Sequence, residues 1–313
     1  MQSSLKSFWK KEEDDAPCVF IDLFCGAGGA STGARQAGYS VQLAVDANPI
    51  FLEAHAANHP GCRHLLATLP AELPLPTSGK WHLHASPPCQ KVSKGNQERN
   101  TDDRDDALAL IEWCVRLALT SGCSSWSLEQ VAVSRVCELL ERLCVESNSK
   151  FSWIVIDCRE LGIPQQHRRR VIAGSSSVVA NLIRVYGWRR SVKDVIPFPR
   201  GTHLRSYLIN SRPRPDPSGK KKWLYKKYSI DEACRSIDKQ ANTVIAGQWQ
   251  RWVSPGSGNP PVLFNVEEQA ALQTFPKDYV FPLDRCMART SIGNALPPVV
   301  AFQMLTGRRP AGY

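Results

Sequence analysis

The chain has 313 residues, 42% of them hydrophobic and 22% charged, with a net charge of +10 and a pI near 9.1. That length accommodates one large α/β core with a smaller appendage, and no apolar run approaches the length of a membrane span. Eleven cysteines, an odd number without a short repeating spacing, argue against a disulfide-stapled secreted scaffold and read as reduced thiols.

Residues 1–16 form a polar tail whose Lys10-Lys-Glu-Glu-Asp-Asp15 stretch is charged where a secretory leader would be apolar. The expectation is a protein that works inside a cell, in bacterial cytoplasm or a eukaryotic nucleus, and is not secreted. Strand-like and helix-like segments then alternate. Residues 19–24 read as a strand, followed by glycines and a helix to about residue 37. Residues 41–45 read as a strand and 49–58 as a helix with proline at its start. Further strands are expected at 81–85, 124–128, 151–157 and 170–173, with helices at 105–119 and 134–145. Alternation of this kind predicts an α/β fold, a doubly wound and mostly parallel sheet.

Near Ser175 the composition turns proline-rich and basic, without helical period. Helical signal returns at Asn265-Val-Glu-Glu268, where Asn can cap and Glu lies three residues on, and a last helix is expected near Pro297-Pro298. The division is therefore a large domain from 17–176 and 262–313, with a small domain from 177–261 between its two parts. Between Arg184 and Lys227 there are 13 Lys and Arg against Asp194 and Asp216, so this stretch carries +11 and the rest of the chain −1. One segment holds the whole excess, as an electrostatic footprint for nucleic acid would. Trp188, Tyr207, Trp223, Tyr225 and Tyr228 are interleaved with these charges, either to stack on bases or to form a small core.

Three places carry chemistry. The first strand runs into Asp22-Leu-Phe-Cys-Gly-Ala-Gly-Gly29, a turn whose glycines let a ligand approach the backbone. Asp46 follows Gly26 by twenty residues, where an acid could bind ribose hydroxyls. NAD and S-adenosylmethionine fit that pattern equally. Second, Ser86-Pro-Pro-Cys89-Gln90 sets two prolines before a thiol at the carboxyl end of a strand, where open α/β sheets bind ligands. A polar run from Lys91 to Asp106 follows. Third, Gln166-His-Arg-Arg-Arg170 gathers guanidinium groups. Read one at a time, Glu129 could be a carboxylate at a helix start, Arg168 to Arg170 a solvated turn, and Asn294 a helix cap.

Together the blocks resemble a family. Asp22-Leu-Phe-Cys-Gly-Ala-Gly-Gly29, Pro87-Pro-Cys-Gln90, Gln166-x-Arg168-x-Arg170, Thr243 in Ala-Asn-Thr-Val and Gly293-Asn-Ala-Leu-Pro-Pro298 are similar to conserved blocks of the cytosine-5 DNA methyltransferases. They occur in the same order, over about residues 18 to 306. The resemblance implies a Rossmann-like catalytic domain and transfer of a methyl group from S-adenosylmethionine to carbon 5 of a flipped-out cytosine in double-stranded DNA. It implies Cys89 as the nucleophile, Glu129 as the acid at ring nitrogen 3, and Arg168 and Arg170 as contacts to the base carbonyl and a phosphate. Phe24, Gly26, Gly28, Gly29, Asp46, Pro88, Asn294 and Ala295 are the expected cofactor contacts. Gln90, Ser93, Lys94, Gln166, Arg212, Arg214, Lys220, Lys221 and Lys222 are the expected DNA contacts. The related transfer RNA methyltransferases carry a Cys-Phe-Thr signature that this chain lacks.

Three departures stand out, one of them an extra residue in Pro164-Gln165-Gln166 before the arginine block. The family's Glu-Asn-Val is here Glu129-Gln130-Val131, and no aspartate appears around Arg63-His-Leu-Leu66, where the family places one on the adenine amine. His55 and His59, four apart on a helix, read as ordinary surface histidines without a third ligand. His82 and His84 would share one face of a strand. No metal, no membrane and a monomer are expected.

Overall fold

The hydrophobic segments that alternate with turns assemble into one seven-stranded sheet: β1 (Val19–Leu23), β2 (Ser40–Asp46), β3 (Arg63–Leu66), β4 (Trp81–Ala85), β5 (Ser125–Val131), β6 (Ser152–Asp157) and β7 (Arg169–Gly174). The computed structural model describes residues 17–88, 101–166, 169–196, 207–210, 234–246, 250–253 and 262–311. Cys89, Gln90, Ser93, Lys94, Arg168, Arg212, Arg214, Lys220, Lys221 and Lys222 lie outside the described residues. The strand order is β3-β2-β1-β4-β5-β7-β6. All neighbours are parallel except β7, which runs antiparallel to both β5 and β6.

Both faces of the sheet are covered. Helices α3 (Thr101–Thr120) and α4 (Ser134–Glu146) pack Ile111, Val115, Val136 and Leu140 against Ile21, Leu23, Leu83 and Val171. On the opposite face α1 (Gly29–Gln36), α5 (Ser176–Val185) and α8 (Pro298–Thr306) pack Ala34, Leu182, Val300 and Met304 against Phe20, Ile156 and Ile172. Successive residues of β1 thus serve opposite cores, the doubly wound arrangement expected of strands alternating with helices. Helix α2 (Pro49–Asn58) is capped by Asn48, whose side chain accepts from the Ile50 and Phe51 amides.

The C-terminal part returns to this body. Asn265 and Glu268 form a capping box that starts α6 (Val266–Leu272), followed by α7 (Arg285–Asn294) and α8. Helix α8 lies so close to α1 that a Cβ at Gly33 would drive into the Pro298 carbonyl, and one at Gly29 into the Leu296 carbonyl. Glycine in the first block therefore exists partly for the approach of the last block.

A second, antiparallel sheet is built from β8 (Tyr207–Asn210), β9 (Cys234–Ser236), β10 (Gln250–Val253) and β11 (Val262–Leu263) in the order β11-β10-β8-β9. Trp252 on β10 stacks on Phe264 at 4.3 Å and joins a cluster with Val244, Phe275 and Ile292. Trp188 packs against the α1/α5/α8 core, over Gly162, so for this aromatic the packing reading holds. Several cations of the basic stretch are engaged internally: Arg189 with Glu160, and Lys193 with Asp238. No disulfide occurs among the described cysteines, and no described helix is long and apolar enough to cross a membrane.

The short strand β3 and the helices α5 and α7 were not expected from the sequence. Strand β3 is four residues at the sheet edge with Arg63 and Leu66 exposed, too short to show a period. Strand β5 runs on to Val131, so Glu129 belongs to the sheet and not to a helix start.

Two histidines sit in the heart of the sheet. His82 and His84 are fully buried, stacked on Phe20, and joined to serines in one row: Ser125 Oγ to His82 Nδ1 at 2.7 Å, His82 Nε2 to Ser127 Oγ at 2.8 Å, Ser127 Oγ to His84 Nδ1 at 2.8 Å, and His84 Nε2 to Ser86 Oγ at 2.7 Å. Burial pushes both imidazoles down to about 3. It also pushes His55 down to about 2 and His59 to about 4. The unfolded chain binds protons at these four sites below the ordinary histidine value of 6.5 while the native chain does not, so their contribution to stability is present above that pH and is lost as pH falls. The slope approaches about 1.4 kcal/mol per pH unit for each. Urea midpoints are expected to drop steeply between about pH 6.5 and pH 4; a midpoint flat across that window would show that these histidines titrate normally.

Candidate active site

The turn after β1 is shaped by backbone conformations that few residues tolerate. Phe24 (φ 59°), Gly26 (φ 52°) and Gly28 (φ 97°) are all left-handed. The turn is fastened to the end of β2, where one Asp46 oxygen accepts from the Gly26 amide at 2.8 Å and the other from the Asn48 amide at 2.8 Å. Above it lies a cavity of about 350 Å³ lined by Phe24, Gly29, Asp46, Pro88, Asn294 and Ala295, among others. Six of the eight residues expected at a cofactor thus face one space. Gly26 instead supplies the amide that holds Asp46, and Gly28 faces Tyr279, His55 and His59 behind the turn.

Asp22 also lines the cavity, and its part was not legible in the sequence. It is fully buried, one oxygen accepts from Ser31 Oγ at 2.6 Å, and the other has no hydrogen-bond partner among the described residues. Burial raises its carboxyl to about 7, with the nearby Asp46 adding to the effect. A carboxylate oxygen left bare in an enclosed space is a receptor for a cation. Beyond β3 the wall is made by Ala67, Thr68 and Leu69, which agrees with the missing aspartate in that segment.

At the other end of the same cavity lie Pro87, Pro88, Glu129, Gln130 and Arg170. In the β5–β7 register Glu129 pairs with Ile172 and Val131 with Arg170. Glu129 and Arg170 are therefore diagonal neighbours on one face, and the Arg170 Nε meets the Glu129 carboxylate in a close ion pair with both side chains nearly buried. Gln130, on the alternate face, donates from Nε2 to the Pro87 carbonyl at 2.9 Å, while its Oε1 accepts from the Val131 amide at 2.8 Å. The amide that replaces the family's asparagine thus ties β5 to the peptide two residues before Cys89.

Gln166 does not reach the cavity. Its backbone amide donates to the Ala241 carbonyl at 2.7 Å and its backbone carbonyl accepts from Thr243 Oγ1, so its main chain docks the 241–244 segment while the half-buried side chain takes no part in these bonds. The adjacent Gln165 is buried deeper. Its amide donates to the Leu272 carbonyl at 2.8 Å and to Gln273 Oε1 at 2.6 Å, and its oxygen accepts from the Val244 amide at 2.8 Å. Gln273 in turn donates to the Ile292 and Ala295 carbonyls, each at 2.9 Å. This pair of amides, unmarked in the sequence, anchors the last block beside the cavity.

A family model described as C-5 cytosine-specific DNA methylase matches residues 18–120 and 137–307. The chain belongs to this family. Among curated relatives of the methylase, Type II methyltransferase M1.HphI of Haemophilus parahaemolyticus is 24% identical over 90% of this chain and 84% of its own. Type II methyltransferase M.HgiDI of Herpetosiphon aurantiacus is 25% identical over 91% and 92%. Among solved structures, the S. pombe Dnmt2 methyltransferase aligns with a TM-score of 0.59 at 16% identity, covering 92% of this chain and 96% of that one. The Entamoeba histolytica methyltransferase EhMeth aligns with a TM-score of 0.56 at 14% identity, covering 94% and 98%. The resemblance drawn from the sequence blocks and the Rossmann-like fold are both borne out.

One expectation is overturned. His55 and His59 are not surface histidines: both are buried, 0% and 3% exposed, packed ring to ring at 4.5 Å behind the glycine turn. Ser31 and Thr32 of α1, His64 of β3 and Tyr279 pack around them, contacts that helical spacing alone does not reveal.

Arg170→Met would leave the Glu129 carboxylate buried without its cation, and the methylase is expected to lose about 3–5 kcal/mol of stability. The double variant Glu129→Gln with Arg170→Met should recover much of that loss in urea unfolding. Equal losses in the single and double variants would show that the pair is not coupled.

Proposed function

We propose that the protein transfers a methyl group from S-adenosylmethionine to carbon 5 of a cytosine flipped out of double-stranded DNA, with Cys89 as the nucleophile. The observation that carries this reading is the meeting of Asp22 and Asp46, Pro88, and the Glu129–Arg170 pair around one cavity. A nucleoside fits the end beside Asp46, whose oxygens have lone pairs left for ribose hydroxyls, between Phe51 and Leu69. The bare Asp22 oxygen suits the cationic part of such a cofactor, and about 350 Å³ lies within the range of small-molecule sites. When bound, the cofactor supplies an electrophilic methyl group.

The chain's own residues then divide the work. Carbon 5 of cytosine is a poor nucleophile, so the Cys89 thiolate adds first to carbon 6, which pushes electron density onto carbon 5. Glu129 holds a proton at ring nitrogen 3, where negative charge builds. Arg170, fixed by Glu129, presents its remaining N–H groups to the base carbonyl, and Arg168 serves a phosphate. Gln130 holds the Pro87 carbonyl, so the peptide leading to Cys89 keeps its place against β5. Loss of the proton from carbon 5 and expulsion of Cys89 complete the exchange. The base must leave the stack for this, at a cost on the order of a few kcal/mol. The small sheet and the basic segment of residues 184–227, with Arg212, Arg214 and Lys220 to Lys222, would read and hold the duplex.

Nucleoside mass spectrometry after incubation with duplex DNA and S-adenosylmethionine is expected to show 5-methylcytosine, absent with Cys89→Ala. Modification of transfer RNA and none of DNA would overturn the choice of substrate. A second test concerns Asp22. A cation beside it favours the ionised carboxylate, so binding below about pH 7 must expel a proton. Affinity for S-adenosylmethionine is expected to rise by up to about tenfold per pH unit toward that value and then level off. S-adenosylhomocysteine, which lacks the sulfonium charge, should show a shallower rise, and Asp22→Asn should make the two profiles alike. Parallel profiles in the unaltered protein would remove Asp22 from this role.

A further inference from the structure

Behind the glycine turn, outside the cavity, three potential metal ligands come from three successive pieces of chain. His55 projects from the third turn of α2, Cys62 from the turn that follows, and His64 from β3. One ligand atom of each lies within 4.8 Å of the others. His55 is fully buried, Cys62 is 8% exposed, and His64 is half-buried at the edge of the sheet. We propose that His55, Cys62 and His64 form a binding site for a divalent ion of borderline softness, Zn²⁺ foremost, with solvent as the fourth ligand.

The hydrogen bonds already orient the donors. Ser31 spends its proton on Asp22 Oδ2 at 2.6 Å, so at 3.0 Å from His55 Nε2 it accepts, and that nitrogen carries the ring's hydrogen. The His55 Nδ1 lone pair is then directed at His64 Nε2, 2.8 Å away. A metal-ligating histidine commonly gives its other N–H to a carboxylate, directly or through one intermediary, and here Ser31 is the intermediary to Asp22. The Cys62 thiol donates to the Arg63 carbonyl at 3.3 Å, and its sulfur keeps lone pairs for an ion while lying within 4.8 Å of a ligand nitrogen of each ring. Two imidazoles and one sulfur form a donor set suited to Zn²⁺ and poorly suited to Ca²⁺ or Mg²⁺.

Binding balances simply. The hydrogen that His64 Nε2 donates to His55 Nδ1 must leave the line between them, and the neutral His64 ring changes tautomer, giving up that hydrogen and taking one up on Nδ1, with no net change of protons. The Cys62 thiol releases one proton to solvent as sulfur joins the ion. Burial keeps both rings neutral, lone pairs available, while it holds the thiol up at about 12, so uptake is favoured as pH rises. The ion enters from the edge of β3, where Arg63 is exposed and His64 is within reach of solvent. Once there it fastens β3 to α2, and through His55 and Ser31 it adjoins Asp22, the residue that faces the cavity from the other side.

The experiment is a Co²⁺ titration of the metal-stripped full chain, read by absorption. One equivalent is expected to bring a near-ultraviolet thiolate-to-cobalt band together with visible bands of four-coordinate geometry, both erased by Zn²⁺. Cys62→Ser should remove the thiolate band, and His64→Gln, at a half-exposed position, should weaken binding by at least about tenfold, which is the least that loss of a supporting group commonly costs a metal site. Circular dichroism shows whether each variant is folded. A thiolate band that persists in folded Cys62→Ser, an affinity unchanged in folded His64→Gln, or no band in the folded parent chain would each overturn the proposal. Because the signal comes from cobalt and not from methyl transfer, failure here leaves the catalytic reading untouched.

Discussion

The insertion of β7 between β5 and β6, antiparallel to both, is the constraint on which the catalytic end depends. A parallel strand in that place would carry its arginines to the far edge of the sheet. Running the other way, β7 enters at Arg169 beside the end of β5, and the register opposes Val131 to Arg170. Glu129 and Arg170 then meet because the pleat leaves them no alternative, each being the nearest polar neighbour on its face. Burying such a pair is costly in desolvation and is repaid only when geometry is good. Here two strand backbones supply it. Gln130, one residue on and so on the opposite face, is free to reach the Pro87 carbonyl. One short strand segment thus fixes the Glu129–Arg170 pair on one side and holds the Pro87 carbonyl on the other.

A second constraint joins parts of the chain that are distant in sequence. Gln165, Gln273 and the backbone around Leu272, Ile292 and Ala295 form a closed set of buried amide bonds. An amide side chain in a dry interior stabilises only where both its ends are met. Gln165 and Gln273 meet this condition through one another, so the segment before β7 and the final block hold each other in place. The glycines of α1 complete the arrangement by letting Leu296 and Pro298 approach backbone to backbone.

What could be read from the sequence was local. The strands β1, β2 and β4, the helices α1 to α4 and the Asn265 cap follow from period, punctuation and turn chemistry within about ten residues, Asp46 from its spacing to the glycine turn, and the cavity-facing positions of Phe24, Pro88 and Asn294 from the family resemblance. What could not be read depends on partners far along the chain. Asp22 carries an unsatisfied oxygen only because it is sealed in and half satisfied by Ser31. Gln165 gains its place from Leu272, more than a hundred residues away. His55 and His59 pass for surface residues until α1 and the distant Tyr279 cover them. The reversal of β7 carries no local signal, since an antiparallel strand and a parallel one share the same alternation. Residue identity suggested the chemistry, but burial decided which polar groups were supporting members and which faced the cavity.

The row from Ser125 through His82, Ser127 and His84 to Ser86 has a polarity of its own. Each neutral imidazole has one hydrogen and one lone pair, and Ser127 has a single hydrogen to share between two rings. With every bond in the row made, the hydrogens must all point the same way. Directed toward Ser86, they let that hydroxyl accept from His84 and turn its own hydrogen into the cavity that it lines. Directed toward Ser125, they consume the Ser86 hydrogen, and the cavity wall presents a lone pair instead. A donor becomes an acceptor without any heavy atom moving. The sheet therefore links the hydrogen-bonding character of one point on the cavity wall to the state of a serine farther along the neighbouring strand β5, through nothing more than the order of five hydrogens.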